Sequence, residues 1–123
     1  MQICTGGCHC GRVKIEVEIP HEVTVNQCSC SICQKSGYLH LIVPADRFKL
    51  LEGEEDLKEY RFHTAVARHL FCGHCGIKSF YVPRSHPDGF SVNLNCLEIP
   101  DDIDVTYGSF DGRNWRKNRQ DLD

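Results

Sequence analysis

A chain of 123 residues has room for one hydrophobic core, so a single domain over residues 1–123 is expected. Hydrophobic residues at 41% and charged residues at 25% are ordinary for a globular protein, and no apolar run approaches the roughly 20 residues that span a bilayer. A formal charge of -3 has the wrong sign for a generic polyanion binder and argues against nucleic acid as a partner.

Short alternating stretches dominate the chain. Val13, Ile15, Val17 and Ile19 alternate with Lys14, Glu16 and Glu18, a half-buried strand stopped by Pro20. Val23 and Val25 begin a second strand that runs into Cys28. Leu39 to Val43 reads as a third, ended by Pro44, and Phe48, Leu50 and Leu51 as a fourth, followed by the acidic turn Glu52 to Asp56. Leu57 to Phe62 and Ala67 to Phe71 continue the pattern, and Ile77 to Val82 follows Cys75 directly. That places Cys72 and Cys75 at the tip of a hairpin. Phe90, Val92 and Leu94 give another strand, and Ile103, Val105 and Tyr107 the last. Only Gly112 to Gln120 has a helical pattern, and a weak one. The expected fold class is all-β, with small antiparallel sheets.

Nine cysteines cannot all be paired in disulfides. The segment Met1-Gln2-Ile3-Cys4-Thr5 has neither the basic nor the apolar region of an export signal, so a cytoplasmic setting, or a nuclear one, is expected. Thiols there stay reduced unless a metal takes them. Seven of the nine fall into three groups: Cys8-His9-Cys10, Cys28-Ser29-Cys30-Ser31-Ile32-Cys33 and Cys72-Gly73-His74-Cys75.

A C-x-x-C turn sets two sulfurs about one tetrahedral edge apart, which suits zinc bonded to sulfur at about 2.3 Å. Gly73 and Gly76 are expected to ease that turn by accepting positive φ. Cys72 and Cys75 need two further ligands, and Cys8 with Cys10 supply them, making a closed four-thiolate site. Cys28, Cys30 and Cys33 offer three sulfurs within six residues and leave a fourth position open, as catalytic zinc sites do. Two alternatives stay open on spacing alone. Cys8 and Cys10 pair instead with the middle group, or Cys4, Cys96 or a histidine closes the second site and both are structural. A thioredoxin-type redox pair is not expected, since no βαβ pattern surrounds the C-x-x-C turn.

These groups, in this order, resemble the glutathione-dependent formaldehyde-activating enzyme family, which also contains centromere protein V. The similarity is carried by Gly6-Gly7-Cys8-His9-Cys10-Gly11-Arg12-Val13, by Cys28 to Cys33, and by Phe71-Cys72-Gly73-His74-Cys75-Gly76. Ile42 to Leu51 and Ser79 to Ser85 look closest to the centromere protein V branch. The resemblance implies an Mss4-like β fold with two zinc ions. It places a structural zinc on Cys8, Cys10, Cys72 and Cys75, and a labile, catalytic one on Cys28, Cys30 and Cys33. It also implies condensation of formaldehyde with glutathione, formally a carbon–sulfur lyase running in reverse. The basic N-terminal extension of centromere protein V has no counterpart ahead of the first motif, so scaffolding that depends on it is not expected.

The remaining candidates are read blandly. Cys96 shares parity with Phe90, Val92 and Leu94 and is expected to be a buried structural cysteine. Cys4 is expected in a frayed terminus. His9 and His74 are expected to point outward or donate to sulfur, and His63 and His69 to pack beside a strand. His40 follows the middle group on a strand and is a candidate to face an open zinc, although for each histidine an ordinary surface or core role is the first reading. Lys35, Arg47, Lys49 and Arg84 are the cations near the clusters in sequence that glutathione's carboxylates would meet. Arg113, Arg116, Lys117 and Arg119 with Trp115 form a basic tail, a thin nucleic-acid signal outweighed by the net charge. The resulting expectation is a zinc enzyme acting on a glutathione adduct of a small aldehyde. The rival is a non-catalytic zinc module that binds a protein partner.

Overall fold

The structure, a computed structural model, describes residues 1–28, 31–61, 68–83 and 88–110, with the backbone alone at 28, 31, 109 and 110. In chain order it runs through strands β1 (Gln2–Gly7), β2 (Lys14–Ile19) and β3 (Glu22–Cys28), helix α1 (Ser31–Ser36), and strands β4 (Leu39–Pro44) and β5 (Phe48–Glu52). Strands β6 (Leu57–Tyr60), β7 (His69–Cys72), β8 (Phe80–Tyr81), β9 (Gly89–Asn93) and β10 (Asp104–Phe110) follow.

The strands form three sheets. One has the order β1-β2-β5, the second β10-β3-β4-β9-β8, and the third pairs β6 with β7. All pairings are antiparallel except β10 with β3, which run parallel from Asp104 opposite Glu22 to Phe110 opposite Cys28. The alternation of β2 is a direct cause of the core. Ile15, Val17 and Ile19 turn inward and are essentially unexposed, while Lys14 and Glu18 face water. They meet Val25 of β3, Leu41 and Val43 of β4 and Val92 of β9 between the two larger sheets. Phe48, Phe80 and Phe90 close one end, with Phe48 stacked on Phe90 at 4.3 Å between ring centres.

Two expectations fail on short elements. Cys4 is not in a frayed end: β1 pairs along its whole length with β2, and the Cys4 thiol is 2% exposed in the core. Ile3 and Thr5 lie on the other face and are exposed, so β1 offers little apolar alternation to read. The second miss is α1, six residues that carry Cys33 and are too short to show a helical period. The expected helix over 112–120, with its basic tail, lies outside the described residues, as do Cys30, His63 and Arg84. Among the described residues, no helix is long and apolar enough to cross a membrane.

Candidate functional site

The first centre is built from two turns. After β1 the chain doubles back at Cys8 to Gly11, held by hydrogen bonds from Cys8 N to Val13 O at 3.1 Å and from Gly11 N to Cys8 O at 3.3 Å. After β7 it doubles back again, with Cys72 N donating to Ile77 O at 3.0 Å and Gly76 N to Cys72 O at 2.9 Å. Arg68 and Val82 exchange backbone hydrogen bonds below this second turn, so Cys72 and Cys75 do cap a hairpin. Gly76 takes φ +77, as expected. Gly73 does not adopt positive φ; a Cβ there would instead come within 2.9 Å of the Lys58 side chain.

The two turns bring four sulfurs together. Those of Cys8, Cys10, Cys72 and Cys75 lie within 4.8 Å of one another, the one such group among the described residues. Cys8 Sγ is 3.5 Å from Cys10 Sγ, and Cys10 Sγ is 3.6 Å from Cys72 Sγ. A tetrahedral zinc with sulfur at 2.3 Å has edges of about 3.8 Å, so the donor set fits a metal ion. Backbone groups already point at sulfur, among them Val13 N, which donates to Cys8 Sγ at 3.3 Å, and His74 N, which donates to Cys72 Sγ at 3.4 Å.

The surroundings favour negative sulfur at two of the four positions. The Arg12 backbone N–H and then its guanidinium bond Cys10 and lower its pKa. Burial pushes the Cys75 thiol up, yet backbone N–H groups of Cys10 and Ile77 outweigh it and bring it to about 6. The His74 ring does not reach sulfur; its Nε2 meets Asp56 Oδ1 at 2.8 Å, while Asp56 O accepts from Gly73 N at 2.8 Å. Asp56 thereby holds the hairpin turn from the β6 side. His9 is exposed.

The second centre gathers around Cys33, which is 3% exposed on α1. His40 of β4, itself buried, sets Nε2 3.0 Å from Cys33 Sγ. Its other nitrogen, Nδ1, lies 3.0 Å from both Ser91 Oγ and Tyr81 Oη. Two rings enclose it, Tyr38 at 4.7 Å and Tyr81 at 5.5 Å, themselves 5.3 Å apart. The Tyr38 hydroxyl donates to Ser91 O at 2.7 Å, and burial raises its pKa well above the ordinary phenol value. Next to these rings stands Lys78, its Nζ 3.9 Å from the Tyr81 ring centre and 2.7 Å from His69 Nδ1. The Cys28 side chain and Cys30 fall outside the description.

The sequence pattern that defines the family described as "Glutathione-dependent formaldehyde-activating enzyme" matches residues 3–113. The chain belongs to that family. It is 35% identical over 112 residues to a Halomonas elongata protein named as a candidate glutathione-dependent formaldehyde-activating enzyme, spanning 80% of this chain and 71% of that one. Its fold is similar to a crystal structure of a Rhodobacter sphaeroides protein, with a TM-score of 0.71, 33% identity and coverage of 85% of this chain and 98% of that one.

In this formaldehyde-activating-enzyme family chain, the sulfurs brought together with those of Cys72 and Cys75 are those of Cys8 and Cys10. Neither Cys4 nor Cys96 joins the four-sulfur group. Cys96 is half-buried, on a 3-10 turn (Leu94–Cys96) that breaks the strand parity used to place it. Burial raises its pKa, with charge from Cys8 and Cys75 adding to the rise. His69 packs as expected, stacked on Tyr81 at 4.8 Å. Of the cations expected near a thiol substrate, Lys35 and Lys49 are exposed and Arg47 is half-buried in the 3-10 turn Ala45–Arg47 that follows β4. Among the described residues, the cation set against the rings of the Cys33 centre is Lys78. Nothing local marks it, because its neighbours Tyr38, His69 and Tyr81 come from three different stretches.

Proposed function

We propose that this protein is a zinc-dependent carbon–sulfur lyase-type enzyme acting on the glutathione adduct of formaldehyde or a similar small aldehyde. The observation that carries the reading is the Cys33–His40 pair: a buried thiol on the Cys28-to-Cys33 segment, faced at 3.0 Å by an imidazole nitrogen. A structural cysteine would more often pack among apolar side chains. This one is met by a polar partner whose ring is fixed on its other side by two hydroxyls.

In this scheme Cys8, Cys10, Cys72 and Cys75 hold a structural zinc, and Cys28, Cys30 and Cys33 hold a second, labile one. Zinc on three thiolates supplies a formally negative centre, better at keeping an incoming thiol as thiolate than at ionising water. The chain's own residues position and shield. His40 Nε2–H donates to the Cys33 thiolate, while Nδ1 accepts from the hydroxyl of Ser91 or Tyr81, which fixes the ring. Tyr38 and Tyr81 wall the centre and keep bulk water from it. The glutathione sulfur then adds to the carbonyl carbon, a carbon–sulfur bond forms, and the aldehyde oxygen takes up the proton that the thiol gave. The reverse reaction breaks that bond and returns the proton to sulfur. A cytoplasmic setting, where glutathione and reduced cysteines coexist, suits both centres.

The test is NMR exchange between carbon-13 formaldehyde and S-hydroxymethylglutathione, with a protein-free control because the uncatalysed reaction is fast. The zinc-loaded protein should raise the exchange rate above the control, and Cys33→Ser should return it to the control. No acceleration and no glutathione binding would point instead to a partner-binding zinc module.

A further inference from the structure

Lys78 lies between the Cys72-to-Cys75 turn and β8, yet its side chain reaches the other centre. Its Nζ stands 3.9 Å from the Tyr81 ring centre, 4.9 Å from that of Tyr38 and 2.7 Å from His69 Nδ1. Tyr38 and Tyr81 are the rings that enclose His40, and His40 touches Cys33 Sγ. The ammonium and the sulfur are thus set against one aromatic wall. A solvated lysine turns its head to water and lays only its stem on apolar surface. Lys78 brings its head to the rings and is half-buried.

The position is braced on every side the structure shows. His69 is 4% exposed and stacks on Tyr81 with its plane 17° away. An ammonium can only donate, so His69 Nδ1 accepts and the ring carries its proton on Nε2. The Lys78 backbone is pinned as well, its carbonyl accepting from Asn93 Nδ2 at 3.2 Å. Two rings and an imidazole hold a long side chain in place before any ligand arrives, which lowers the ordering cost of binding.

We infer that Lys78 receives a carboxylate of the incoming thiol, so that the Cys33 centre selects carboxylate-bearing thiols over neutral ones. The inference rests on the reading that this centre takes a thiol substrate. An ammonium has three rotatable donors and acts as a compact point charge, so it holds His69 and a carboxylate oxygen together. Partial burial strengthens the attraction several-fold over bulk water. Glutathione carries two carboxylates, either of which meets the requirement.

The test uses the whole zinc-loaded protein with three probes: glutathione, its dimethyl ester and 2-mercaptoethanol. Dissociation constants are read by calorimetry for the natural chain, Lys78→Gln and Lys78→Arg. The natural chain should prefer glutathione to its ester by about tenfold, the worth of one charge-assisted hydrogen bond. Lys78→Gln should bring that ratio close to one and leave 2-mercaptoethanol binding unchanged, while Lys78→Arg should keep most of the preference. A ratio that survives Lys78→Gln overturns the inference. So does an equal weakening of all three probes, which marks a structural lysine. Equal binding of glutathione and ester by the natural chain removes the Lys78 role but leaves the thiol site standing. Binding of none of the probes removes both.

Discussion

Cys75 and Cys72 sit on one turn and are pushed in opposite directions. Backbone N–H groups bring Cys75 to about 6 against the effect of burial, whereas Cys72, although the backbone N–H of Cys75 lowers it, is raised by burial and by the neighbouring Cys10 and Cys75 thiols together. A thiol whose folded pKa is depressed adds stability above the pKa of the unfolded thiol, and that contribution is lost as pH falls through about 6. The same shift governs metal uptake, since only thiolates ligate. At pH 7 Cys75 is already mostly thiolate, so zinc binding by the metal-free protein should release fewer than four protons from the four cysteines. Below pH 6 the number should rise toward four. Calorimetry in buffers of different ionisation enthalpy measures it, and four protons at every pH would contradict the assignment.

The ligands of this first centre were readable from spacing because each pair is local and its chemistry permits few other uses. His40 was readable only as a candidate. Lys78 was not readable at all, since sequence separations of 40 to Tyr38 and 9 to His69 leave no pattern.

At the scale of elements, the first centre depends on how closely β1 approaches the segment after β9. Gly6 bridges to Leu97, and Glu98 N donates to Thr5 O at 2.9 Å. A Cβ on Gly6 would lie 1.9 Å from the backbone carbonyl oxygen of Cys96, and no rotamer relieves a backbone clash. Gly6→Ala should therefore destabilise the zinc-loaded protein by about 1–3 kcal/mol, the usual cost of overpacking, as read by urea unfolding. An unchanged midpoint would show that the bridge is not held. The strand with clean alternation, β2, was legible for the reason that it is stable: one face is buried against the other sheet. The first strand was hidden because its inward residue is a cysteine between exposed neighbours. The α1 helix was hidden because six residues hold fewer than two turns. Cys96 was misplaced because strand parity was carried past Asn93 into a 3-10 turn.

At the scale of the molecule, the two centres are anchored differently. Cys8 and Cys10 leave the β1-β2-β5 sheet, and Cys72 and Cys75 leave β7, so a metal there fastens separate sheets together. Cys28, Cys30 and Cys33 instead follow one another through the end of β3 and into α1, so a metal there closes only a local segment. Loss of the first should cost folding free energy, and loss of the second should not. The all-β class and family were legible because three cysteine motifs in register leave little choice of fold. The parallel pairing of β10 with β3 was not, since strand order is decided by long-range packing. The division of labour between the centres is tested by counting zinc during mild chelation, with circular dichroism followed in parallel. The protein purified under reducing conditions should carry two zinc ions per chain, release one early and faster with added glutathione, and stay folded on the other. Simultaneous loss of both, with unfolding, would contradict the account.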